Sequence, residues 1–199
     1  MENVKLIYID DNADPHISNY LFSKYQYSGM EVEYLQRGFG DRDTYESLLE
    51  DKDVKSSDII IIDSVLFENA NLENQKLTGE EFEIIVKNVF PFKEVIVVTQ
   101  NDVDEDCKII KKYDSSSDTD EAGFFEKEWK PVLDNAIDNI KLYRKLLKRI
   151  EEKNYLEKYF VEEIQQSVQG EKGYEKLTVK DIDKLINIFE SVKSGYDNQ

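Results

Sequence analysis

The sequence predicts an α/β fold, a five-stranded doubly wound parallel sheet with helices on both faces, followed by a helical extension. Residues 59–62 and 95–98 are unbroken runs of β-branched residues. Such runs indicate strands buried on both faces, because a half-exposed strand would put alternate residues in water. Three further strand-like segments alternate with segments of helical periodicity. This alternation is typical of a parallel sheet covered by helices.

The N-terminal elements follow in order from the first residues of the chain. Residues 4–9 are mostly β-branched or aromatic and predict the first strand. Asp14 followed by Pro15 marks a helix start, with a side-chain cap and a proline in the first turn. Alternating apolar residues predict a second strand over 30–35, and apolar spacing predicts a short helix over 45–49, before the isoleucine strand.

The second half of the predicted domain continues the same alternation. Thr78 is expected to cap a helix that Pro91 ends, and the valine-rich strand follows. Spacing of apolar residues predicts a helix over 103–113. After a Ser/Asp-rich loop, residues 123–127 predict a short last strand that ends in Lys127.

The pattern changes near residue 129, where apolar residues begin to step by three or four over many turns. We therefore divide the chain into an α/β domain, residues 1–140, and an α-helical extension, residues 141–199. The extension is expected to be a helical hairpin or a coiled coil. Because such helices bury only one face by themselves, we expect them to bind a protein partner or to form a homodimer.

Charge and composition restrict the function further. The net charge is −17, and residues 1–140 carry 14 Lys/Arg against 32 Asp/Glu. Such a domain repels phosphate backbones, so direct binding to nucleic acid is not expected. The chain has no apolar run of membrane length and no signal-like N-terminus, and its one cysteine, Cys107, forms no internal disulfide. These features predict a cytoplasmic protein that does not act at a membrane.

Functional side chains follow four of the predicted strands, at the point where each strand ends. They are Asp10 and Asp11, Asp63, Thr99 and Lys127. Because the carboxyl ends of parallel strands meet at one edge of a sheet, these groups should lie close together. Clustered carboxylates repel one another and need a cation, and hard oxygen ligands with room for water favour Mg²⁺.

This set of residues resembles the receiver domain of two-component response regulators. The resemblance covers residues 3–140 and includes the order of the elements. It consists of an acidic pair after strand one, an aspartate after strand three, threonine after strand four and lysine after strand five. The resemblance implies the flavodoxin-like version of the doubly wound fold.

The resemblance also implies a role for each residue. Asp63 would be the phosphoacceptor, and Phe124, three residues before Lys127, would be the aromatic switch. The remaining roles are binding of Mg²⁺ by Asp10, Asp11, Asp63 and the backbone carbonyl of Val65, and contact with phosphoryl oxygens by Thr99 and Lys127.

The function expected from the resemblance is signalling rather than enzymatic turnover. A histidine kinase or another phosphodonor would phosphorylate the domain, and the C-terminal helices would pass the signal to a protein partner or a second copy. Gln100 and Glu128 stand where the family usually has a small residue and a proline. They favour an alternative, an unphosphorylated pseudo-receiver that docks proteins. A Mg²⁺-dependent phosphatase is a third hypothesis, disfavoured because neither Asn12 nor Val65 supplies a second acid.

Overall fold

The computed structural model describes residues 3–40, 42–66, 77–101, 109–116, 120–153, 162 and 164–167. The strands are β1 (Asn3–Asp10), β2 (Glu31–Gly38), β3 (Ile59–Asp63), β4 (Val65–Leu66), β5 (Leu77–Thr78), β6 (Glu94–Thr99) and β7 (Ile109–Lys111). Five of them form one parallel sheet in the order β2-β1-β3-β6-β7, and β4 and β5 form a separate antiparallel pair.

Helices lie on both sides of this sheet. They are α1 (Pro15–Asn19), α2 (Tyr45–Glu50), α3 (Lys52–Ser56), α4 (Gly79–Val89), α5 (Glu121–Phe124) and α6 (Lys130–Lys153). Two π-helical turns, Tyr20–Lys24 and Phe125–Trp129, continue α1 and join α5 to α6. This architecture confirms the predicted fold class.

The four isoleucines of β3 divide between two hydrophobic cores. All four are fully buried. Ile59 and Ile61 pack with residues of α1 and α6, whereas Ile60 and Ile62 pack with residues of α2, α3 and α4. The alternation of side chains along a strand therefore supplies both faces of the sheet from one continuous apolar run.

Two predicted helix caps are confirmed. The side chain of Asp14 accepts hydrogen bonds from the backbone N–H groups of His16 at 2.8 Å and Ile17 at 3.2 Å. The Thr78 hydroxyl accepts one from the backbone N–H of Glu81 at 3.2 Å. Each cap satisfies an N–H that the first helical turn leaves without a partner, and it sets where the chain turns away from the sheet.

The prediction for the last strand is wrong. Residues 123–127 lie in α5 and the π-helical turn that follows it, and the fifth strand is β7, inside the segment for which a helix was predicted. Residues 103–108 of that predicted helix lie outside the described residues, and its last two residues, Lys112 and Tyr113, follow β7. Phe125 and Trp129 are both fully buried and four residues apart, which is the spacing of one helix face.

Helix α6 crosses the predicted boundary at residue 140 without a break. Beyond that point it still contacts the sheet, because Arg144 donates hydrogen bonds to the Asp58 carboxylate at 2.8 Å and to the Asn3 carbonyl at 2.7 Å. The predicted helical hairpin or coiled coil falls mainly on residues 154–161, 163 and 168–199, outside the described residues. In the described part of the chain, no helix combines the length and the apolar character that crossing a bilayer requires.

Candidate metal centre at the carboxyl edge of the sheet

Three carboxylates meet at the carboxyl edge of the sheet, as the strand ends predict. Asp10 is the last residue of β1, Asp11 follows it, and Asp63 is the last residue of β3. Each offers one oxygen, and these oxygens all lie within 4.8 Å of one another. Asp10 and Asp63 are buried, with 2% and 9% of their surface exposed. The cluster can therefore hold a metal ion.

A buried lysine that the sequence analysis did not select completes the cluster. Lys112 directly follows β7, and its backbone N–H donates to the Thr99 carbonyl at 2.7 Å, as a strand residue would. Its ammonium lies 2.9 Å from Asp10 Oδ2 and 3.0 Å from Asp63 Oδ1. The ammonium of Lys112, which follows β7, thus bridges the carboxylates at the ends of β1 and β3.

Lys127, the lysine predicted for this position, is not part of the site. Its side chain is 82% exposed and donates to Glu128 at 2.8 Å. Because Phe125 and Trp129 face the core, a lysine between them on a helical turn points to solvent. The predicted switch residue, Phe124, lies in α5 and packs against Tyr113 with ring centroids 5.5 Å apart, so it is not on the last strand.

Both oxygens of the Asp10 carboxylate receive hydrogen bonds. The backbone N–H of Asn12 donates to Oδ1 at 2.8 Å, and Oδ2 accepts from Lys112 and from the hydroxyl of Tyr8. Tyr8 is fully buried. Burial, followed by the nearby Asp10 charge, raises the pKa of Tyr8 far above its ordinary value, so the hydroxyl keeps its proton at neutral pH.

The two buried charged partners respond differently to their surroundings. Burial raises the pKa of Asp63 to about 6; Lys112 opposes this shift, while the charges of Asp10 and Asp11 add to it. Burial by itself would lower the pKa of Lys112, but its hydrogen bond with Asp10 and the attraction of Asp63 raise it overall. Three carboxyl groups thus face a single lysine in this cluster, and such an excess of acidic groups suits a divalent cation.

Thr99 and Val65 border an open cleft beside the carboxylates. Thr99 is the last residue of β6, and its hydroxyl accepts a hydrogen bond from the Asn101 backbone N–H at 3.2 Å. The cleft is lined by Asp10, Asp11, Asn12, Asp63, Val65, Thr99, Gln100, Asn101 and Lys112. All the predicted site residues except Lys127 and Phe124 therefore border one cleft.

The backbone beside Asp63 is fixed by a close approach from α4. The N–H of Ser64 donates to the Val98 carbonyl at 2.7 Å, and the N–H of Gly79 donates to the Ser64 carbonyl at 3.1 Å. A Cβ atom added at Gly79 would collide with the backbone carbonyl of Asp63. Only glycine lets α4 begin this close to the strand end that carries the central carboxylate.

The signal for Lys112 in the sequence was short. Ile109 and Ile110 are a β-branched pair followed by two lysines and the turn-forming sequence Asp114-Ser115-Ser116. The signal that points to Lys112 is a cation directly after a strand of only three residues.

No protein-family model matches the chain, and no match was found among curated proteins or solved structures.

Proposed function

We propose that this chain is a receiver-like signalling domain in which Asp63 accepts a phosphoryl group with the help of Mg²⁺. Asp10, Asp11, Asp63 and the backbone carbonyl of Val65 would hold the ion. Lys112, rather than Lys127, would pair with the phosphoryl oxygens, and the Thr99 hydroxyl would donate a hydrogen bond to them.

The observation that carries the proposal is the position of Lys112. Its ammonium lies 3.0 Å from Asp63 and 2.9 Å from Asp10, within a cluster of oxygen ligands at the edge where α/β sheets bind ligands. A carboxylate that must attack an anionic phosphoryl group needs positive charge nearby to offset the repulsion. Lys112 supplies one such charge, and a bound Mg²⁺ would supply the other.

The proposed reaction is an in-line phosphoryl transfer. An oxygen of the Asp63 carboxylate attacks phosphorus, and a new O–P bond forms as the bond from phosphorus to the donor's leaving atom breaks. With a phosphohistidine donor, the electron pair of the P–N bond returns to the imidazole, and the product on this chain is an acyl phosphate. A histidine kinase or a small phosphodonor would act upstream, and a protein partner or second copy would respond through the C-terminal helices.

Binding of beryllofluoride, a mimic of the phosphoryl group, tests this proposal. We expect the full chain to bind it only when Mg²⁺ is present, and we expect Asp63→Asn to lose that binding. Asp53→Asn is the matched control, because Asp53 lies in α3 before β3 begins, at the opposite edge of the sheet. Absence of Mg²⁺-dependent binding in the native chain would refute phosphorylation.

A pseudo-receiver that docks proteins without being phosphorylated is the second candidate. Gln100 borders the cleft beside Asp63. Tyr113 follows Lys112, where the family usually has proline, and the residue three before Lys112 is Ile109 rather than an aromatic. Only residues 100–108 connect β6 to β7, fewer than the roughly dozen residues of an ordinary parallel crossover. Labelling of Asp63 by a small phosphodonor would eliminate this candidate.

A further inference from the structure

Tyr8 joins the hydrophobic core to the acidic cluster. Its ring packs in the core that contains Ile17 and Ile61, and its hydroxyl donates to Asp10 Oδ2. The same hydroxyl accepts a hydrogen bond from the backbone N–H of Asp14, the cap of α1, at 3.2 Å. Tyr8 and Asp10 stand two residues apart on β1, so their side chains leave the strand on the same face.

We propose that Tyr8 is a positioning residue for the metal centre, which holds the Asp10 carboxylate in the orientation that a divalent cation requires. This inference rests on the proposed function for the identity of the cation. The Tyr8 hydroxyl acts through Asp10 and does not itself coordinate the ion.

The need for Tyr8 follows from the other donors to Asp10. The Asn12 N–H restrains only Oδ1, and Oδ2 is shared by Tyr8 and Lys112. When an anionic phosphoryl group reaches Asp63, the Lys112 ammonium is drawn towards it and away from Asp10. Within the described part of the chain, Tyr8 is then the donor that remains on Oδ2 and keeps the carboxylate from rotating.

A carboxylate held in advance loses less freedom when it binds a metal ion, and outer hydrogen bonds of this kind typically change metal affinity by about 10- to 100-fold. The ring of Tyr8 lies in the core and the hydroxyl alone reaches the site. Replacement by phenylalanine therefore removes the hydrogen bond to Asp10, together with the one accepted from the Asp14 N–H, and leaves the packing of the ring in place.

The test compares Tyr8→Phe with Tyr25→Phe in the full chain. Tyr25 is also buried, and its hydroxyl donates to a carboxylate, Asp134, at 2.8 Å on α6. Both variants therefore lose one tyrosine-to-aspartate hydrogen bond, but only Tyr8→Phe loses it at the metal centre. Affinity for Mg²⁺ is measured by calorimetry and, for a destabilised variant, by the rise in melting temperature with Mg²⁺ concentration.

We expect Tyr8→Phe to bind Mg²⁺ about 10-fold more weakly than the native chain and Tyr25→Phe to bind it equally well. Equal affinity in Tyr8→Phe and the native chain would overturn the inference and leave the proposed function standing. Weakened Mg²⁺ binding in Tyr8→Phe, with no beryllofluoride binding by the native chain, would support the inference and overturn phosphorylation. A native chain that does not bind Mg²⁺ would overturn both.

Discussion

Two buried lysines lie at opposite edges of the same sheet and have different partners. Lys112, at the carboxyl edge, contacts the carboxylates of Asp10 and Asp63. Lys93, just before β6 at the amino edge, donates to the backbone carbonyls of Ser57 and, at 2.7 Å, of Lys55. The two side chains are similarly buried, at 7% and 3% exposed.

Their pKa values shift in opposite directions. Burial lowers the pKa of Lys93 to about 8, although the charge of Asp58 opposes the change. Burial acts in the same direction on Lys112, but the carboxylate partners raise its pKa overall. Full negative charges compensate for lost hydration, whereas carbonyl dipoles at the end of a short helix compensate only in part. The carboxyl edge therefore stabilises buried charged groups, whereas the contacts of Lys93 at the amino edge contribute to the stability of the fold.

The largest expected effect is that of Lys112→Met. Without its cation, the cluster keeps buried carboxylates that repel one another, and breaking a buried pair typically costs about 3 kcal/mol or more. We expect the free energy of unfolding in urea to fall by about that amount when Mg²⁺ is absent. Added Mg²⁺ should restore part of the loss, because it replaces the missing positive charge.

Lys127→Met is the matched control for that prediction, because Lys127 is the exposed lysine that the sequence analysis favoured. We expect its unfolding midpoint and its response to Mg²⁺ to match those of the native chain. A loss of stability or of Mg²⁺ response in Lys127→Met, with none in Lys112→Met, would reverse the assignment of the two lysines.

A smaller effect is expected from Lys93→Met. The variant leaves two backbone carbonyls near the end of α3 without their donor, and an unsatisfied buried group costs roughly 1–3 kcal/mol. The variant also removes a charge that burial disfavours, which acts in the opposite direction. We therefore expect a net loss of about 1 kcal/mol in urea unfolding. Mg²⁺ should stabilise this variant as much as it stabilises the native chain. A smaller stabilisation by Mg²⁺ would mean that the two edges of the sheet are not independent.

An effect of similar size is expected from pH. Folded Lys93 releases its proton near pH 8, whereas in the unfolded chain its pKa returns to the ordinary value of 10.5. Between these values unfolding takes up a proton, so stability should rise with pH and be lost as pH falls through 8. The rise from pH 8 to 9.5 should be on the order of 1 kcal/mol in the native chain relative to Lys93→Met. Parallel pH profiles for the two proteins would contradict a lowered pKa.

Much of the fold could be predicted because its signals are local. The isoleucine and valine runs of β3 and β6, the cap at Asp14 and the cap at Thr78 depend on neighbouring residues alone. The acidic part of the site could be predicted for a related reason. Once β1 and β3 are recognised as parallel strands, Asp10 and Asp63 must lie at the same edge.

Lys112 could not be assigned to the site from the sequence in the same way. β7 has only three residues, and its spacing of apolar side chains also fits a helix. Its identity as a strand comes from pairing with β6, in which Thr99 lies opposite Lys111. Conversely, Phe124 and Phe125 have the composition of a strand, but the segment is helical and Phe125 stacks on Tyr20 with ring centroids 4.3 Å apart.

The sequence by itself determined the doubly wound sheet and the three carboxylates at its edge, since runs of buried residues and strand ends are read along the chain. Only the tertiary structure decided which lysine meets those carboxylates, and that Tyr8 holds one of them. The physical reason is that a cation is placed by strand pairing between residues far apart in sequence. Lys112 reaches Asp10 across 102 positions of the chain, a distance over which local periodicity carries no information.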